Sequence, residues 1–343
     1  MAAYDGVFDT LGLRDWCDEG KEDAPVSMAQ LLAQTSGDDA SEAGGLPFPS
    51  LDVLHEACGR IGQTRDLTAG LEEGFLAIRS ELKFVLDPIT QPLSWMLDAA
   101  LWLFESAPWF IMIPALLLLA YWVSRSKSVT GFVAAVLLFF GFIDHFDVAM
   151  QTLAIVFVCT GLSVVLGVPI GIGMSKSDTA QRTIVPILDL LQTLPTFVYL
   201  IPLIFLFSVT ESKLYGIAII LYAVVPVIRL TDLGIRLVDR DVIEAANAFG
   251  LTAWQKLSRV ELPLALPNIM AGVNQTIMMS LAMVVIASLV SAPGLGVLVL
   301  RGIRNLELGV GLVAGLGIVL LAVILDRVSK AALARVDTGR KER

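Results

Sequence analysis

Charged residues in this chain stand in small clusters separated by long uncharged runs, at 106–124, 128–143, 148–175, 190–210, 214–228, 262–300 and 308–325. A helix needs about 20 apolar residues to cross the hydrocarbon core of a bilayer. Most of the runs therefore fit a single crossing, with tolerance for the shorter ones. The run from Leu262 is too long for one span and is punctuated by Ser291-Ala292-Pro293-Gly294-Leu295-Gly296. It predicts a crossing over about 268–290, then a bend and a short re-entrant or interfacial helix. Backbone inside a membrane must satisfy its own hydrogen bonds, which leaves helices or closed barrels. Ten-residue alternating strands are absent, so the pattern predicts an all-α polytopic membrane protein of about seven transmembrane helices.

Composition agrees. Of 343 residues, 56% are hydrophobic and 17% charged, and mean hydropathy is +0.76, far from the soluble mean. Charge adds a second feature. Residues 1–105 hold 6 Lys and Arg against 19 Asp and Glu, whereas the remainder holds 18 against 14, so the net −9 belongs to the N-terminal part. Residues 1–70 read as an acidic, partly disordered tail with Gly, Ser and Asp clustered at 36–45. No basic n-region or small-residue cleavage site opens the chain, and a cleaved signal peptide is not expected. Over 71–105, Leu71, Phe75, Ile78, Leu82 and Val85 recur at helical spacing. That predicts amphipathic interfacial helices, with a small soluble helical hairpin as the open alternative. Cys159 reads as a packing residue in a span, and a required disulfide between Cys17 and Cys58 is not expected.

Seven crossings put the termini on opposite sides. With the N-terminus outside, the inner segments hold 15 Lys or Arg and the outer loops only Lys213, Arg301 and Arg304. The positive-inside rule then predicts N-out and C-in, with a basic cytoplasmic tail at 331–343 and a cytoplasmic loop at 229–263.

That loop contains EAANAFGLTAW, residues 244–254. Asp241 with Glu244, and Thr252 with Gln255, have capping-box spacing, and Gly250 stands where a helix end favours a left-handed residue. The prediction is helix, glycine stop, helix, then Pro263 and Pro267 closing the segment. Ala245, Ala246 and Phe249 are expected to share a face, small residues admitting a partner closely and Phe249 acting as its knob. A loop folded onto its own membrane domain is the competing reading. A DNA-binding helix-turn-helix is disfavoured because acidic residues outnumber basic ones between Asp239 and Glu261, so no nucleic acid is expected.

Glu244-Ala245-Ala246, three residues, Gly250, nine residues, Val260, one residue, then Leu262-Pro263 resembles the EAA motif of ATP-binding cassette importer permeases, with Val260 where Ile is usual. The stretches at 191–202, Met283-Val284-Val285-Ile286-Ala287-Ser288 and Leu325-Asp326-Arg327 resemble the glycine betaine/proline betaine branch of that family. The resemblance covers roughly 146–330. It implies the type I ABC importer permease (MetI-like) fold over 146–330, with 106–145 forming two family-peripheral helices. It further implies a bacterial inner-membrane permease that imports a betaine-like compatible solute. The elbow would be a coupling helix, its ATPase-coupling residues Glu244, Ala245, Ala246, Phe249, Gly250, Val260 and Pro263. The implied partners are cytoplasmic ABC ATPase subunits carrying ATP and Mg, an extracytoplasmic substrate-binding protein, and a second copy of the permease.

No chemistry of its own is expected of the chain. A phosphate loop needs G-x4-G-K-[ST] after a strand. Gly171-Ile172-Gly173-Met174-Ser175-Lys176-Ser177 instead ends a predicted span, so Lys176 reads as a snorkelling side chain. His55 and His145 are isolated, and no catalytic or metal-binding constellation is evident. Transport paths favour broken or polar spans, which nominates Gln192, Thr193, Phe197, Tyr199 and Asn274, with helix–helix hydrogen bonding as the competing role. An ion- or proton-coupled secondary carrier is the alternative function, although such carriers place ionisable groups within spans and the uncharged runs contain none.

Overall fold

The structure is a computed structural model that describes Gly12 and residues 64–341, with side chains from 68 to 334. Cys17, Cys58 and almost all of the acidic tail lie outside the described residues. The chain divides into two units, Met1–Ser80 and Glu81–Arg343. In the first, residues 64–80 are helical, with Leu71 and Ile78 exposed. Helix α1 spans Thr64–Ser106 as one element containing Pro88 and Pro92, where sequence patterning predicts several shorter helices.

Within the second unit come α2 (Trp109–Ser124), α3 (Lys127–Phe142), α4 (Phe146–Lys176), α5 (Asp178–Thr193), α6 (Thr196–Leu206) and α7 (Ser212–Arg236). They are followed by α8 (Arg240–Ala248), α9 (Ala253–Lys256), a π turn (Leu257–Glu261), α10 (Leu262–Ala287), α11 (Leu295–Arg304) and α12 (Leu308–Lys341). Among the described residues, four helical stretches are long and apolar enough to cross a membrane: Phe146–Lys176, Ser212–Arg236, Ala253–Val290 and Leu308–Ala334. Two bent pairs raise the number to six if each pair makes one span.

The seven simple crossings are therefore corrected in two places. The run at 190–210 is not one helix, because α5 and α6 meet at 95°. Leu194 is extended, with ψ 130, before Pro195, as steric conflict with a following proline ring requires. The run at 106–124 yields only the 16 residues of α2, which turn 117° from α1 at Ala107-Pro108. At 1.5 Å per residue α2 reaches about 24 Å, short of the hydrocarbon thickness. The apolar α3 is equally short.

Helices α4, α7 and α10 pack mutually and form the centre of the unit. In lipid, apolar burial alone does not bring helices together, so close contact depends on small residues and interhelical hydrogen bonds. Both are present. A Cβ at Gly171 would lie 2.6 Å from the carbonyl oxygen of Ile228 and 2.6 Å from Thr231 Cβ. Thr160 Oγ1 donates to Ser280 Oγ at 3.1 Å between α4 and α10. Met174, Leu188, Val224, Val225, Val227 and Ile228 form a buried apolar cluster where α4, α5 and α7 meet. The predicted bend after α10 is present: Ser291 is left-handed at φ 72, and α11 starts where Leu295 N donates to Thr152 Oγ1 at 2.9 Å.

Lys213 is not the solvated loop cation that charge counting takes it for. It is 3% exposed at the start of α7, and its Nζ lies 2.7 Å from Asp87 Oδ1 and 2.8 Å from Glu211 Oε2. Charges this far from water require such pairing.

Candidate functional site: the elbow and the groups beneath it

Between α7 and α10 the chain makes a short, capped excursion. Asp239, extended at ψ 132, caps α8 by accepting from Asp241 N at 2.9 Å. The predicted cap at Asp241 is thus displaced by two residues, and Asp241 instead supplies negative charge in the first turn, where the helix dipole favours it. At the other end, Gly250 N donates to Asn247 O and Leu251 N to Ala246 O. This is a Schellman closure, which needs a left-handed residue. Gly250 supplies it at φ +72, although a Cβ there would meet nothing within 4 Å. The constraint on this position is conformational rather than spatial.

Thr252 opens α9 with a reciprocal capping box, Thr252 Oγ1 accepting from Gln255 N at 3.3 Å and Gln255 Oε1 from Thr252 N at 3.0 Å. Lys256 Nζ donates to Asn247 Oδ1 at 3.0 Å and ties the two arms together. The elbow's shape is therefore fixed by four local devices, none of which needs a long-range contact. Beyond them, Pro263 does not close the segment: the chain stays helical from α9 through the π turn, Pro263 and Pro267.

The motif residues divide into two faces. Phe249 is 87% exposed and Trp254 72%, and Glu244, Ala245, Gly250 and Pro263 are exposed with them. Ala246 is turned inward at 5% exposure, and Val260 is half-buried. Ala246 therefore does not share a face with Ala245 and Phe249, because successive helical residues point about 100° apart. Two large apolar side chains thus stand in the open beside a carboxylate and small residues, and exposed aromatic groups of this kind are able to serve as anchors when a partner buries them.

Beneath the elbow lies a set of charges that sequence patterning did not assemble. Glu261, at the end of the π turn, is 4% exposed and pairs with Lys176 on the last turn of α4. Arg236 on α7 donates to Asp232 Oδ1 at 2.9 Å, to Asp178 Oδ1 at 2.8 Å and to the carbonyl of Met174 at 2.8 Å. Gln181 Nε2 donates to Asp232 Oδ2 at 2.7 Å. The Asp232–Arg236 spacing of four was the only local signal for this group; the remaining pairs join segments up to 85 residues apart.

The transport-path candidates are not brought together. Gln192, Thr193 and Phe197 are exposed on α5 and α6, with Thr193 Oγ1 donating to Leu190 O at 3.3 Å. Tyr199 is buried, its hydroxyl 3.6 Å from Met283 Sδ. Asn274 is occupied by α12, donating to Asp326 Oδ1 at 3.1 Å and accepting from Ser329 Oγ at 2.6 Å. Asn274 and Tyr199 therefore hold helices together in this conformation. Asp189 forms an ion pair with Arg229.

The chain is similar along nearly its whole length to a glycine betaine/proline betaine transport system permease protein of Escherichia coli (strain K12), at 37% identity over 96% of this chain and 92% of that protein. A glycine betaine transport system permease protein of Bacillus subtilis (strain 168) is 45% identical over 64% of this chain and 79% of its own length. A glycine betaine/carnitine transport permease protein of Listeria monocytogenes is 40% identical over 71% of this chain and 87% of its own. Among solved structures, an inward-facing MetNI methionine ABC transporter aligns at a TM-score of 0.50 and 21% identity, covering 55% of this chain and 94% of that one, a likeness of fold. Residues 163–338 match the family described as binding-protein-dependent transport system inner membrane component. With the elbow, the central helices and the near full-length relatives in agreement, this chain belongs to that family of multi-pass inner-membrane transport permeases.

Proposed function

We propose that the chain is the permease subunit of an ATP-driven importer for glycine betaine, proline betaine or a related compatible solute, and that its elbow is the handle of a partner ATPase. The observation that carries this reading is the elbow itself, stiffened by caps at both breaks and holding Phe249 and Trp254 in the open. The substrate class is supported by the names of the relatives in Escherichia coli and Bacillus subtilis. The orientation is N-out and C-in, with α3 added to the six candidate spans as a seventh crossing and with the elbow and the basic tail in the cytoplasm, supported by the excess of Lys and Arg on that side. Two copies pair around a central path, and an exported binding protein delivers solute from the outer side.

In this scheme ATP and Mg are held by the ATPase subunits, and the chain itself supplies no hydrolytic group. ATP binding draws the ATPases together and moves both elbows, favouring an outward-open arrangement of α4, α7 and α10. Hydrolysis and release restore the inward-open one. A rigid elbow is required because a partner shifts an equilibrium only through contacts that differ between the two states.

The test is reconstitution in proteoliposomes with the ATPase and the binding protein. Betaine uptake that needs internal ATP, both partners and an intact elbow is the expected result. Uptake driven by an imposed ion gradient without ATP would establish the secondary-carrier alternative and overturn this reading.

A further inference from the structure

We propose that the Lys176–Glu261 ion pair is the strut through which the elbow moves α4, which makes both residues positioning residues for transport. The proposal rests on the elbow being the ATPase handle and deepens it by naming the path of force. Glu261 occupies the junction where the elbow becomes a membrane span: it closes the π turn and immediately precedes Leu262, the first residue of α10. A π turn is a disfavoured, wide turn found mostly at functional positions. Its last carboxylate is almost wholly removed from water and held by a lysine from a different span.

Lys176 in turn ends α4, where a cation is favoured by the helix dipole, and its side chain remains partly hydrated. The bond therefore has one dry end fixed in the elbow's base and one adaptable end on α4. Beside the pair, Ile235, Ala265 and Ile269 pack against Val168, Ile172, Leu257 and Leu262. Apolar surfaces slide past one another at little cost, whereas separating this pair would leave the buried Glu261 carboxylate uncompensated. The same terminal turn of α4 is gripped from α7, where Arg236 holds the Met174 carbonyl and reaches Asp178 and Asp232. Movement of the elbow consequently reaches α4 through Lys176, while Arg236 keeps α4 in register with α7.

The experiment compares Lys176→Met, Glu261→Gln, the double neutral variant and the reversed pair Lys176→Glu/Glu261→Lys in proteoliposomes with ATPase and binding protein. The readouts are ATPase co-purification and ATP hydrolysed per solute imported. The neutral variants are expected to keep co-purification within about twofold while ATP used per solute rises at least about fivefold, the lower end of a typical coupling effect. The reversed pair should recover most of the coupling. A double neutral variant that imports at the unaltered ratio would overturn the strut and reduce the pair to charge compensation. Failure of that variant to accumulate in membranes would also overturn it, by making the pair a folding requirement. Absence of the ATPase from the unaltered chain would instead sink the reading of the elbow, and the strut with it.

Discussion

The elbow and the break between α5 and α6 both turn the chain sharply, but by different means. At the elbow, polar side chains and one left-handed glycine satisfy each freed backbone group: Asp239 at the start, Gly250 at the stop, Thr252 and Gln255 at the restart. At Leu194-Pro195 a single proline does the work, and no side chain caps α6. The capped turn draws its hydrogen bonds from its own residues. The proline turn is shaped by what surrounds it, with Tyr199 and Leu200 buried and Phe197 exposed. A segment that must transmit force to a soluble partner suits the first construction, and a segment that rearranges within a membrane suits the second.

Four substitutions test this contrast, in order of decreasing effect. Gly250→Val places a β-branched residue at φ +72, costing about 1–2 kcal/mol locally. The Schellman closure should open, and ATPase co-purification should fall by more than about tenfold while the chain remains in the membrane. Normal co-purification and uptake would remove the docking role. Pro195→Leu frees Leu194 to become helical and lets α5 run into α6. Uptake should fall about tenfold with ATPase co-purification unchanged within about twofold; equal loss of both would mean that the two turns are not independent. Asp239→Ala should weaken the elbow by about 1 kcal/mol, the usual value of an N-cap, and Asp241→Ala by a few tenths, since it contributes only charge in the first turn. Amide hydrogen exchange across 240–248 reads the difference, and equal effects would return the cap to Asp241.

The same contrast explains what was legible in the sequence. Thr252, Gln255 and Gly250 announce the elbow because capping and left-handed turns impose residue types at fixed local spacing. The all-α membrane class follows as directly from the uncharged runs. The cap at Asp239 was missed because Asp241 and Glu244 offered the same spacing two residues later, and only the backbone's extended ψ at 239 separates the choices. The α5–α6 segment was legible as a proline-broken span but not as a 95° turn, because Pro195 lies in an otherwise continuous uncharged run and membrane helices often tolerate proline. Lys176 with Glu261, and Lys213 with Asp87, left no local trace: their partners are brought together by packing of helices distant in the chain. The proposed path residues illustrate the same limit, since Asn274 and Tyr199 are polar for the sake of α12 and α10 neighbours.

We propose above all that a partner ATPase seats on the exposed face of the elbow. It is tested most directly by placing a cysteine at Phe249, with the other cysteines replaced, and cross-linking in membranes that contain the co-expressed ATPase. The account predicts a covalent permease–ATPase adduct in high yield that disappears when Gly250→Val is added. Contradiction would come from active importer that gives no adduct at position 249 while the cysteine reacts with a membrane-impermeant reagent added from outside the cell.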